Sequence, residues 1–102
     1  MKILAIEKPA PESSDDQFAA FHRQEANRVW ELYRSGVIRE VYFRMDRQEA
    51  VLILECNDLE EGSRVLESLP LVANRLISFD VIPLAPYTGF ERLFALSSRR
   101  PV

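Results

Sequence analysis

Two stretches of this sequence are apolar without interruption, Ile3-Leu4-Ala5-Ile6 and Ala50-Val51-Leu52-Ile53-Leu54. A strand with one wet face alternates apolar and polar residues; a strand that does not alternate needs cover on both faces. Any fold for this chain must therefore set these two segments inside a sheet and lay apolar material over each side of it. That is demanding for 102 residues, a single-domain length that hides only about two-thirds of its unfolded surface.

The rest of the chain reads around these runs. The first strand covers about Lys2 to Glu7, and Pro9 and Pro11 are expected to break it. Ser14-Asp15-Asp16-Gln17 has capping-box spacing, with acids beside the positive end of a helix. The spacing predicts that helix from about Asp15 to Ser35, closed by Gly36. Val37 to Arg44 is β-prone, and its charges Arg39, Glu40 and Arg44 suit a sheet edge. Asp46-Arg47-Gln48-Glu49 makes a polar hairpin connection to the second apolar run, Ala50 to Cys56. Asn57 or Asp58 caps a second helix, about Leu59 to Ser68, which Pro70 is expected to stop. Leu71 to Arg75 reads as a connection, and Leu76 to Leu84 as the last strand, with Pro83 confined to an edge or an end.

This β-α-β-β-α-β order, with right-handed crossovers, gives a ferredoxin-like α+β sheet with the first and third strands in the middle. Those are the two strands with unbroken apolar runs. Two helices cover one face of four strands, so the other face needs a partner. A second copy of the sheet supplies it, giving a homodimer with a barrel-like core. Residues 1–86 are read as the ferredoxin-like domain. Residues 87–102 are read as a C-terminal tail, in which Thr88-x-x-Glu91 has capping-box spacing and Phe90, Leu93 and Phe94 share a helical side. The tail leaves an edge strand and is expected to dock on the partner subunit.

Composition excludes several classes of function. Thirteen basic against 16 acidic residues leave a net charge of -3, which argues against nucleic acid as partner. No apolar run approaches the roughly 20 residues of a membrane span, and the opening segment is too short for a signal peptide. The single cysteine, Cys56, rules out an internal disulfide and a multi-cysteine zinc site. A cytoplasmic protein without cofactor or structural metal is the expectation, with neither a Gly-rich phosphate loop nor a nucleophile elbow.

Candidate chemistry lies on the first helix. At 100° per residue, Phe21, Val29, Leu32 and, at the limit, Tyr33 share the side of Phe18 that should pack on the sheet. His22 and Glu25 fall in the same sector, three residues apart and so neighbours. A histidine and a carboxylate stand where a plain amphipathic helix has leucine. One reading is an acid–base pair lining a wet cleft, since a carboxylate in a partly apolar cleft becomes a better base. The other is a polar pair that fixes register or reaches solvent at the edge.

On the second strand, Tyr42 and Arg44 are read as sharing a face with Ile38 and Glu40, and Arg39 as lying on the other. An arginine there suits two-point binding of a substrate carboxylate, or is an exposed edge charge. Asp80 is expected to pair with an arginine of a neighbouring strand or of the partner. Cys56 is expected to be an inert buried thiol. Trp30 reads as packing at the stripe's rim, and Arg99 and Arg100 as a frayed end.

Arg34-Ser35-Gly36 closing the first helix, the strand with Arg39 and Arg44, and Leu69-Pro70-Leu71 after the second helix are together similar to a known family. From about Phe18 to Leu84 the chain resembles the muconolactone delta-isomerase-like proteins, a branch of the dimeric α+β barrels. The resemblance implies proton transfer on an unsaturated lactone acid through a dienolate. It places His22 where the family has lysine and Glu25 where it has glutamate. The family's histidine-containing segment after the last strand has no counterpart near Pro83 to Tyr87. On this basis the leading expectation is a cofactor-independent isomerase or lyase of a small carboxylated, unsaturated metabolite. Glu25 and His22 would exchange the proton, Arg44 or Arg39 would hold the acid group, and Tyr42 would donate to the developing enolate. Related barrels leave two alternatives, a cofactor-free monooxygenase and a non-catalytic dimeric domain.

Overall fold

The structure, a computed structural model, describes residues 1–10 and 14–94. The expectations for Pro11, for Arg99 and Arg100 and for the tail beyond residue 94 lie outside the described residues. The elements run β1 (Lys2–Pro9), α1 (Asp15–Arg34), β2 (Ile38–Phe43), β3 (Ala50–Glu55), α2 (Leu59–Glu67), α3 (Pro70–Ala73), β4 (Ile77–Leu84) and α4 (Glu91–Phe94). The four strands form one antiparallel sheet in the order β2-β3-β1-β4, the ferredoxin-like α+β arrangement. The two apolar runs are its two central strands.

Local chemistry sets the element ends. The Ser14 N–H donates to Gln17 Oε1 at 3.0 Å, the backbone half of the capping box that opens α1. α1 closes at Gly36, whose φ of +86° is the left-handed conformation that favours glycine. α2 starts at Asp58, whose side chain accepts the Glu61 N–H at 2.7 Å.

Two prolines behave otherwise than expected. β1 does not break before Pro9 but runs through it, with Pro9 opposite Ile77. The Ala10 N–H donates to Leu76 O, just before β4, so the nitrogen of Pro9 faces the other way. The β1–β3 pairing has already ended there, at Ile6 and Val51, so the missing N–H forfeits no sheet bond. α2 ends at Glu67, before Pro70 as expected, but Pro70 also opens α3, a short helix where a connection is expected. Proline's fixed φ suits the first helical turn, where its absent N–H would have no partner.

The core lies between the sheet and the helices. Ile3 and Ala5 of β1 and Leu52 and Leu54 of β3 are buried with Leu32 of α1, Leu66 of α2 and Leu69. Gly62 lets α2 approach closely, since a Cβ there would come within 2.6 Å of Ile3 Cδ1. A second cluster joins Leu71, Leu76 and Ile77 with Phe18, Phe21 and Phe79. The alternate residues of the central strands, Leu4, Ile6, Val51 and Ile53, are only half-buried and lie on the face away from the helices. Ile82 and Leu84 share that face and are 41% and 39% exposed. In the tail Phe90, Leu93 and Phe94 are 63%, 73% and 78% exposed. Among the described residues, no helix is long and apolar enough to cross a membrane.

Candidate functional site

One end of the sheet gathers the chemistry. β1 and β2 finish there, β3 and β4 begin there, and the first half of α1 passes over it. Glu7, near the end of β1, shares the helix-facing side of Ile3 and Ala5 and stands opposite Phe79. Its Oε1 accepts the Ala50 N–H at 2.9 Å, just beyond the last residues that β1 pairs with β3. Glu25, on the inner side of α1, reaches across to α3, and its Oε1 accepts the Leu71 N–H at 2.9 Å. That bond has a local cause. Pro70 has no N–H, and the N-cap Leu69 has no side-chain acceptor for the first turn of α3. α1 therefore supplies one.

Both carboxylates are half-buried, and each uses one oxygen for its backbone amide. The second oxygen of each has no hydrogen-bond partner among the described residues, yet no buried side-chain oxygen is left unsatisfied. Both free oxygens are therefore in reach of solvent. Burial holds the Glu25 carboxyl above the ordinary glutamate range; the Leu71 N–H partly opposes this, the charge of Glu7 adds to it, and His22 opposes it weakly. Burial also raises Glu7, against the Ala50 N–H and with the charge of Glu49.

The expected site residues are only partly brought together. Glu25 faces inward as expected. His22, expected in the same sector, is exposed. The inner stripe of α1 runs Phe18, Phe21, Glu25, Arg28, Val29 and Leu32, which leaves His22 at its rim. Tyr33, placed at the limit of the stripe, is 48% exposed and stacks against Trp30 with ring centroids 6.1 Å apart.

Arg44 lies at the same end of the sheet as Glu25. It holds Asp46 through two nitrogens, at 2.9 and 2.6 Å, and stands 3.7 Å from Glu49. That bidentate contact raises the arginine's pKa and lowers that of Asp46. Arg39 is at the opposite end of β2, where its Nε donates to Gly36 O at 2.7 Å. The Tyr42 hydroxyl donates to Glu40 at 2.7 Å, which raises its pKa. The expected face assignment on β2 needs correction. A register shift between Ile38 and Glu40 turns Ile38 toward the core while Glu40 and Tyr42, opposite Ile53 and Val51, lie on the bare side. No sequence signal marks that bulge.

Asp80 pairs with Lys8 at 2.9 Å rather than with an arginine. Cys56 is buried, and burial raises its thiol pKa. Sequence reasoning missed Glu7, which reads as the polar end of a strand; the signal was its strand parity with Ile3 and Ala5. It also missed Arg28, whose Nε donates to Ser68 Oγ at 3.0 Å, one helical turn beyond Glu25. Among the described residues no group of three histidine, cysteine or acidic side chains is placed to hold a metal.

Comparison with known proteins gives two findings. The family model described as muconolactone delta-isomerase matches residues 5–89. Among solved structures, the fold is similar to 5-chloro-2-hydroxyhydroquinone dehydrochlorinase (TftG) from Burkholderia phenoliruptrix AC1100, in complex with 2,5-dihydroxybenzoquinone. The TM-score is 0.68 at 16% identity, over 83% of this chain and 94% of that one, a likeness of fold. No curated protein matches the sequence.

Proposed function

The chain belongs to the muconolactone delta-isomerase family, and from that premise we propose that it is a small cofactor-independent isomerase or lyase. It moves a proton on an unsaturated, carboxylated metabolite. The observation that carries this reading is Glu25, a half-buried carboxylate with one oxygen fixed by the Leu71 N–H and the other open. A base held this way has a set direction, and its partial burial brings its proton affinity closer to that of a general base working near neutrality.

The open oxygen of Glu25 takes the proton from the carbon beside the substrate carbonyl, and the electron pair passes into a dienolate. Reprotonation at a second carbon completes an isomerisation. Loss of a leaving group from the same carbanion completes an elimination, the class of reaction named for the dehydrochlorinase of similar fold. His22, at the rim one turn before Glu25, passes the proton to and from water. Arg44 holds the substrate's acid group with the fork it now gives to Asp46. Tyr42 and Arg39, engaged with Glu40 and with Gly36, stay outside this reading.

The assembly belongs to the same proposal. A second copy covers the bare face around Leu4, Ile6, Val51 and Ile53, and the tail with Phe90, Leu93 and Phe94 docks on that partner. The test is a panel of butenolide acids followed by proton NMR for positional isomers. We expect at least one to be converted, with Glu25→Gln slower by about 10²–10⁴-fold. No conversion of any acid, or a Glu25→Gln protein as active as the original, would refute the reading.

A further inference from the structure

A carboxylate base works only while it is aimed, so the contacts that aim Glu25 are part of its chemistry. We propose that Arg28 is a positioning residue for Glu25: it clamps the segment between α2 and α3 onto α1 and so holds the Leu71 N–H where the carboxylate accepts it. This inference rests on the proton-transfer reading of Glu25 and adds the device that orients that base.

Three observations carry it. Glu25 and Arg28 stand one helical turn apart on the inner stripe of α1 and grip the two ends of one short segment, Ser68-Leu69-Pro70-Leu71. Arg28 Nε donates to Ser68 Oγ at 3.0 Å, and Glu25 Oε1 accepts the Leu71 N–H at 2.9 Å. The segment itself is stiff. Ser68 caps the end of α2, its N–H bonded to Arg64 O and Val65 O and its Oγ donating to Val65 O at 2.6 Å. Leu69 is 1% exposed in the core, and its carbonyl accepts the Ala73 N–H at 2.9 Å. The ring of Pro70 fixes φ between them. A shift of Ser68 therefore carries Leu71 with it. Finally, Arg28 is half-buried and is committed to this contact. The nearest acid, Glu31 on α1 itself, is 3.9 Å from its guanidinium, beyond hydrogen-bond range.

The consequence for Glu25 is direct. With the segment held, the Leu71 N–H keeps one oxygen on the α3 side and leaves the other turned outward. With Arg28 released, that amide drifts toward water and the carboxylate loses its fixed rotamer. A misplacement of about 1 Å at a reacting group costs about 10²-fold in rate. Arg28 acts through Leu71 and not on the substrate, so the loss falls on kcat and leaves KM little changed.

The test uses the full-length protein with Ser68→Ala, Arg28→Met and the double variant. Ser68→Ala removes the acceptor without changing any charge; methionine keeps much of the arginine stem and removes its donors. Two readouts need no substrate. In the original, the Leu71 amide proton should follow the titration of Glu25, because the two share a charge-assisted bond. In Ser68→Ala that response should shrink, and the carbon-13 midpoint of Glu25 should move to higher pH as the amide's opposition to burial is lost. The charges that act on Glu25, those of Glu7 and His22, are the same in this variant. The third readout is conversion of a butenolide acid. Each single variant should lose about 10–10²-fold in kcat, and the double variant no more than the slower single one, since all remove one contact. Unmoved Leu71 and Glu25 signals in Ser68→Ala, an unchanged kcat, or losses that multiply in the double variant overturn the role of Arg28 and leave Glu25 as base. No conversion by the original protein, or full activity in Glu25→Gln, overturns the proton-transfer reading itself, and this inference with it.

Discussion

Replacing Ile53 by lysine separates the bare sheet face from the core. Ile53 lies on central strand β3, opposite Leu4 on one side and Glu40 on the other, with its side chain away from the helices. In a single chain the change does little harm. The ammonium faces water, and Glu40 across the strand pair contributes about 0.2–1 kcal/mol of attraction. In a face-to-face dimer the cost is larger. Ile53 is half-buried, so pairing hides roughly the remaining half of a side chain whose full burial contributes about 1.5–3 kcal/mol, or about 1 kcal/mol per copy. Lysine forfeits that and adds an ammonium whose desolvation costs several kcal/mol before Glu40 offsets part of it. Symmetry enters both terms twice, so a total of about 4 kcal/mol, near a thousandfold in dissociation constant, is a low estimate. Sedimentation velocity at micromolar concentration reads it directly, with far-ultraviolet circular dichroism to show that the fold is kept. We expect a dimer for the original protein and a folded monomer for Ile53→Lys. A dimer of unchanged affinity in the variant, or a monomeric original, would refute the reasoning.

Other outcomes follow from the same contacts. Glu25→Ala, unlike Glu25→Gln, orphans the Leu71 N–H and should lower stability by about 1–3 kcal/mol in chemical denaturation. Gly62→Val drives a side chain into the fully buried Ile3 and should cost about 1–3 kcal/mol by the same measurement. Glu7 and Glu25 bind protons more tightly folded than unfolded, so their contribution to stability is greatest at low pH and is lost as pH rises from the ordinary glutamate value of 4.5 through their raised folded values. Asp46 and Glu55, lowered by Arg44 and by the terminal amine, act with the opposite sign and lose their contribution as pH falls below that range. Denaturant midpoints across pH should show both slopes, and Glu7→Gln/Glu25→Gln should flatten only the upper one.

The sheet was legible because its evidence was redundant. Unbroken apolar runs marked β1 and β3 as central, and the charges of β2 and the proline of β4 independently marked the edges. Short-range chemistry at Ser14, Gly36 and Asp58 fixed the helix ends. Legibility failed where one residue's meaning depended on a distant one. Pro9 was tolerable because the β1–β3 pairing had already ended, and Pro70 began α3 because Glu25 was there to take the next N–H. The helical wheel placed Glu25 correctly but set His22 too far inward, since a 100° sector is wider than the stripe that packs. The faces of β2 were misread beyond Ile38 because a bulge adds a residue without a sequence mark. Glu7 shows the same limit from the other side, since a glutamate ending a strand reads as solvated until a helix is seen above it.

The account stands on a ligand site between helices and sheet, with the opposite face kept for a second copy. Titrating an unsaturated lactone acid into nitrogen-15-labelled protein tests this directly, because the amides of Leu71 and Ala50 report on Glu25 and Glu7. We predict that these two signals move together and saturate, while Leu4 and Ile53, in the middle of the bare face, stay still. Shifts confined to the bare face around Leu4 and Ile53, with Leu71 and Ala50 unmoved, would contradict the account.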